Sequence, residues 1–185
     1  MKLKASKRAQ QSKGELTTIR VEGDIPAVVY SKKSGSESIR VSGADFNAAL
    51  RVMEEGHLPT TVFELEIDGK AKKAIVKDIQ YHPTSYAVKH LDFLLLESDH
   101  EVMVNVPIRC IGVAECVGIK LGGFLRQVKR HVKVKCLPEN IPTRFDINVK
   151  DLGLKQAMRA KQLPVAANVK MLFPENEVVV TIAKR

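Results

Sequence analysis

Apolar and charged side chains alternate without a break from Phe63 to Asp68, with Phe63, Leu65 and Ile67 on one side and Glu64, Glu66 and Asp68 on the other. A period of two marks a β-strand with one face buried and one solvated. The same period returns at Leu91, Phe93 and Leu95 opposite His90 and Asp92, and again at Val104, Val106, Ile108 and Cys110 and at Val132, Val134 and Cys136. In the first half the clearest break is a helical one: Phe46, Ala49, Leu50 and Met53 fall at helical spacing. Ser42 and Asp45 form an N-terminal capping pair there, and Gly56 marks the stop. A chain patterned in this way is mainly β.

Further strands are expected over residues 2–8, 25–31, 38–42 and 74–81, with a short helical or irregular segment over 15–22 ended by Gly23 and a hairpin turn at Asp68-Gly69. The polar joint Glu97-Ser98-Asp99-His100 separates two domains, 1–97 and 98–185. The first reads as a small, mostly antiparallel β structure with one or two helices packed on it. The second reads as a mostly antiparallel β domain with strands over 102–111, 121–128, 130–137, 145–149 and 178–183 and a short helix over 151–161. Gly118-Ile119-Lys120-Leu121-Gly122-Gly123 is a turn and not a phosphate-binding loop, because no Gly-Lys-Ser/Thr follows it.

The formal charge of +9 and a pI near 9.5 point to a polyanionic partner, a nucleic acid or an acidic surface. Residues 1–97 carry 15 basic and 13 acidic side chains and residues 98–185 carry 15 and 8. Within the first twenty residues Lys2, Lys4, Lys7, Arg8, Lys13 and Arg20 face only Glu15. No N-terminal run resembles a signal peptide, and no stretch approaches the roughly 20 apolar residues of a membrane span, so a cytoplasmic protein without a membrane partner is expected. The three cysteines, Cys110, Cys116 and Cys136, lack CxxC spacing, which argues against a zinc finger or a disulfide framework. Cys110 and Cys136 are in phase with the apolar faces of their strands and read as buried thiols.

The polar stretch from Asp78 to Phe93 stands out chemically. His90 and Asp92 share one strand face, so a donor and a carboxylate stand side by side, and His82-Pro83 comes just before a reversal that suits a proline lacking an N–H. Three readings are open for the histidine and the aspartate. They are a solvated polar pair, a recognition pair for RNA, or, with His82, a weak metal-ligand cluster of a metal-dependent enzyme.

A family resemblance weighs among these. Ile79-Gln80-Tyr81-His82-Pro83, His90-Leu91-Asp92-Phe93 and Ile25-Pro26-Ala27-Val28-Val29-Tyr30 resemble the bacterial large-subunit ribosomal protein numbered twenty-five, in its two-domain form, the general stress protein Ctc family. The similarity runs on through Val106-Pro107, Gly112, Gly122-Gly123-Phe124-Leu125 and Cys136-Leu137-Pro138-Glu139-Asn140-Ile141-Pro142. It implies a six-stranded N-terminal barrel and a non-enzymatic constituent of the large ribosomal subunit, with no cofactor, metal or small-molecule substrate. It further implies binding to loop E of 5S rRNA, whose wide, shallow minor groove exposes 2′-hydroxyls and base edges.

By position the resemblance carries RNA contact onto Arg8, Lys13, Arg20, Tyr30, Lys77, His90 and Asp92, and Lys32 and Lys33 join them as loop cations beside Tyr30. The lysines and arginines neutralise phosphates, whereas Asp92 can only accept from an amino group or hydroxyl. Two departures stand against the family pattern. Basic residues usual near Thr17 and Thr18 are missing, with Glu15 present, and the second domain, commonly acidic, is basic here. That domain is expected to reach neighbouring rRNA or ribosomal proteins, with Arg126, Lys129, Arg130, Lys133 and Lys135 as candidate RNA contacts.

Overall fold

In the computed structural model, which describes residues 1–8, 13–31, 35–67 and 69–184, the alternating segments form thirteen strands among those residues. The chain divides into two compact units, Met1–His100 and Glu101–Arg185.

The first unit contains β1 (Lys2–Lys7), α1 (Lys13–Val21), β2 (Ile25–Ser31), β3 (Gly35–Val41), α2 (Gly43–Val52), β4 (Val62–Ile67), β5 (Lys70–Tyr81) and β6 (Val88–Leu95). Its six strands close into a barrel in the order β1-β3-β2-β6-β5-β4. Four seams are antiparallel, and two parallel seams, β2 with β6 and β1 with β4, complete the ring. Closure pairs every strand on both sides and leaves no exposed sheet edge. Leu3, Ala27, Val29, Ile39, Val41, Phe63, Leu65, Val76, Leu91 and Phe93 fill the interior, joined by Phe46 from α2. Phe63 lies between two rings, 6.2 Å from Phe46 and 6.3 Å edge-on from Phe93, a geometry that aromatic quadrupoles favour.

Local signals set the element ends. Ser42 Oγ accepts the Asp45 N–H at 3.3 Å and opens α2, which stops at Val52 before Gly56 is reached. Gly56 instead takes φ +82° in the turn that follows, ahead of a 3-10 turn over Leu58–Thr60 that packs on β5. The 15–22 segment is a full helix, α1, closed by Gly23 at φ +90°. Gly43 must lack a side chain, because a Cβ there would overlap the Gly23 carbonyl oxygen. Strand β3 starts at Gly35 and β5 at Lys70, earlier than the pattern suggests, because the cross-strand register Ser31↔Gly35 and Ile67↔Lys70 pairs the polar residues beside each turn as well.

The second unit contains β7 (Val102–Ile111), α3 (Val117–Lys120), β8 (Gly123–Gln127), β9 (His131–Cys136), β10 (Phe145–Asn148), β11 (Ala157–Arg159), β12 (Lys170–Met171) and β13 (Val178–Lys184). They build a sheet ordered β10-β7-β9-β12 and a second ordered β11-β13-β8, over a core that includes Val106, Val132, Val134, Phe145, Ile147, Val179, Val180 and Ile182. In this unit only β10 with β7 runs parallel among the described pairs.

The helix expected over 151–161 does not form. Lys155 takes φ +61°, the Gly153 N–H donates to Gln156 Oε1 at 2.8 Å, and Met158 pairs with Val180 in the sheet. The short helix is α3, at the turn before β8, where Gly118 and Gly123 leave only 2.8 Å between an added Cβ and Ile182 Cγ2. Cys136 is buried as expected. Cys110 is half-buried beside the β10 edge pairing, and Cys116 is the fully buried thiol, donating to the Leu152 carbonyl at 3.3 Å.

Candidate nucleic-acid interface

Strand β6 turns Leu91 and Phe93 into the barrel, which obliges His90 and Asp92 to stand on its outer surface. Neighbouring strands set what surrounds them. Asp92 is level with Val28 on β2 and Asp78 on β5, Val28 is level with Ser38 on β3, and His90 faces Gln80. Tyr30, the penultimate residue of β2, lies between Ser36 and Leu94. The outer face is thus a row of donors and acceptors on rigid backbone: Ser38, Tyr30, His90, Asp92, Asp78 and Gln80.

His90 Nδ1 lies 2.8 Å from Asp92 Oδ1. The approach is close but not aligned as a hydrogen bond, and it becomes an ion pair only with the ring protonated. Burial first, then the charges of Asp92 and Asp78, push the Tyr30 hydroxyl up from its ordinary value. Tyr30 is therefore held as a neutral donor next to two carboxylates.

Cations flank this row. Arg20, in the last turn of α1, donates from Nε to the Lys89 carbonyl at 3.3 Å, and Arg8, just past β1, donates from Nε to the Ile39 carbonyl at 3.1 Å. A carbonyl acceptor fixes a guanidinium in direction without cancelling its charge, and leaves its outer nitrogens to a phosphate. Arg40, by contrast, is bound to Asp24 at 2.6 Å and Glu22 at 3.4 Å. Lys77 is the extra residue of a bulge, since Val76 pairs with Phe93 and Asp78 already with Asp92, and it is exposed.

The fold therefore brings Tyr30, His90 and Asp92 onto one surface, with Arg8, Arg20 and Lys77 on elements bordering it. Lys13 opens α1. Lys32 and Lys33 lie outside the described residues. His82 does not join His90 and Asp92: its ring caps the β5–β6 turn, with Nδ1 3.0 Å from Thr84 Oγ1. Among the described residues no group of three His, Cys, Asp or Glu side chains could hold a metal ion, which removes the proposed ligand cluster. No described helix is long and apolar enough to cross a membrane. Sequence reasoning missed Asp78 and Gln80, because a strict period of two from the buried Val76 would turn both inward and only the bulge at Lys77 turns them out.

Two family models match this chain, the Ribosomal L25p family over residues 3–93 and the C-terminal domain of ribosomal protein TL5 over residues 101–185. Large ribosomal subunit protein bL25 of Chlamydia muridarum is 43% identical over 185 residues, covering 100% of both chains. Its counterparts in Chlamydia caviae and Chlamydia pneumoniae are 43% and 42% identical over the same full length. The chain belongs to the bL25 family.

In this bL25 chain the basic second unit is less open than its composition suggests. Lys129 pairs with Glu177 at 2.9 Å and sits 5.4 Å over the Phe173 ring, and Lys135 pairs with Glu101. Arg126 belongs to the β11-β13-β8 sheet while Lys133 and Lys135 belong to β9 in the other. The five candidate cations do not lie on one strand face, because β8 and β9, close in sequence, join different sheets.

Proposed function

We propose that this protein is a non-enzymatic structural constituent of the large subunit of cytoplasmic ribosomes and that its first domain, 1–97, docks on loop E of 5S rRNA. Membership of the bL25 family supports the ribosomal role. The observation that carries the RNA reading is the outer row of Tyr30, His90 and Asp92, held by a closed barrel between Arg20, Arg8 and Lys77. In this reading the cations neutralise phosphates and supply attraction without sequence preference. Tyr30 donates, His90 and Gln80 donate or accept, and Asp92 accepts from a 2′-hydroxyl or an exocyclic amine in the shallow groove. A carboxylate beside phosphates is unfavourable unless it receives such a donor, so Asp92 selects the RNA shape rather than strengthening binding to any RNA.

The test is equilibrium binding of the full chain to a loop E fragment and to a regular duplex of equal length, at two salt concentrations. Preference for loop E that His90→Ala and Asp92→Ala each remove, over a shared salt dependence, is the expected result. Equal affinity for the two RNAs would leave charge alone at work and end the assignment of this strand face.

A further inference from the structure

A cleft of ≈ 640 Å³ opens in the first unit between the end of α1, the start of α2 and the β5–β6 turn. Its volume falls within the about 300–1,000 Å³ of small-ligand sites. Of the chain's three tyrosines, two line it, Tyr81 at 48% and Tyr86 at 77% exposure. Large aromatic surface left in water at a concave site is costly and marks a place where something flat is received.

Tyr86 is also held in an unusual backbone state. Its φ of +55° lies in the left-handed region that aromatic residues rarely adopt. The turn enforces it: the Tyr86 N–H donates to the His82 carbonyl at 3.0 Å, the His82 N–H donates to the Ala87 carbonyl at 2.8 Å, and the His82 ring caps Thr84. His82 thus serves the placement of Tyr86.

The charge of the cleft selects its occupant. Arg20 and Lys89 line it, and Asp24, the lining acid, already pairs with Arg40 at 2.6 Å. Cations beside exposed aromatic rings are the combination that binds single-stranded nucleic acid, the ring taking the base and the cation the phosphate. Asn47 adds an amide at the wall able to bond a base edge. The cleft is continuous with the proposed interface, because the Arg20 Nε donates to the carbonyl of Lys89, the residue before His90. We infer that this cleft receives one unpaired nucleotide of an RNA, its base stacked on Tyr86 and its phosphate at Arg20 and Lys89. The inference rests on the RNA-binding reading but concerns a different surface and an unpaired rather than a helical segment.

The experiment titrates the full chain into a short single-stranded oligoadenylate carrying one 2-aminopurine, and in parallel into the loop E fragment. Stacking on Tyr86 quenches the 2-aminopurine. Tyr86→Ala is expected to weaken oligoadenylate binding by roughly 5- to 150-fold, the range for loss of one stacked base. Tyr86→Phe, which keeps the ring, retains the quench. Absence of oligoadenylate binding, or equal binding by wild type and Tyr86→Ala, overturns the inference, and a cleft filled by a protein segment gives the same result. Failure of the helical reading looks different: oligoadenylate binds through Tyr86 while loop E shows no preference over duplex.

Discussion

Asp92→Asn separates recognition from stability. In the free protein Asp92 gains from His90 at 2.8 Å and loses from Asp78, its directly opposite neighbour on β5. Its side chain is 34% exposed, so solvent screens both terms. With His90 protonated the attraction is worth at most about 1 kcal/mol, and the like-charge cross-strand repulsion is about 0.2–1 kcal/mol. They oppose each other, and the urea midpoint is expected to move by the equivalent of less than about 1 kcal/mol. Against loop E the loss is larger. An amide still accepts but no longer carries the charge that strengthens the bond, and its NH₂ group faces a donor. Loss of one well-placed base-edge contact costs roughly 1–3 kcal/mol, or about 5- to 150-fold in affinity. The salt slope stays unchanged, because a carboxylate releases no counterion. The same substitution removes one of the two charges that raise the Tyr30 pKa, so the hydroxyl titrates closer to its ordinary 10.0 while burial, the largest cause, keeps it above. Fluorescence anisotropy on loop E and duplex at two salt concentrations, with NMR titration of Tyr30, reads all of this. An equal loss on both RNAs, or an unfolding shift large enough to explain the loss, refutes the reasoning.

Arg20→Ala is expected to reduce the slope of log K against log salt by about 0.7–0.9 on loop E and duplex alike, as one phosphate contact does; an unchanged slope removes Arg20 from the backbone contacts. Gly43→Ala forces a Cβ against the Gly23 carbonyl and should cost at least about 1–3 kcal/mol in urea unfolding. Gly153→Ala, whose nearest new contact is Gln156 at 3.4 Å, should stay within about 0.5 kcal/mol. Glu115 and Lys150 meet at 2.6 Å, and the lysine, through its hydrogen bond and then its charge, holds the carboxyl below its ordinary 4.5. A depressed carboxylate stabilises above its ordinary value and loses that contribution as pH falls through its folded value. Glu115→Gln should therefore lower the melting temperature slightly in the neutral region, where the pair contributes, and leave it nearly unchanged well below pH 4.5, so that the acid limb is flatter; an identical profile in the variant would show the pair to be silent.

The sequence by itself determined the features that depend on near neighbours along the chain. Period-two alternation over Phe63 to Ile67 and around Leu91 and Phe93 is a statement about where successive side chains point, and it sent His90 and Asp92 outward together. Ser42 capped α2 for an equally local reason. Where the local signal was ambiguous it misled: Leu154 and Met158 stand four apart as on one helix face, yet that segment turns at Lys155 and pairs with β13, because burial against Val180 outweighs weak helix propensity. Tertiary structure alone decided the rest. The parallel seams β2/β6 and β1/β4 join segments more than fifty residues apart, and no periodicity names a strand's partner. Those seams and the β5 bulge set Tyr30, Asp78 and Gln80 around the His90 and Asp92 pair, and the approach of α1, α2 and the β5–β6 turn made the tyrosine cleft. Side-chain direction is written in the chain, but which directions converge is fixed only when a common core is closed.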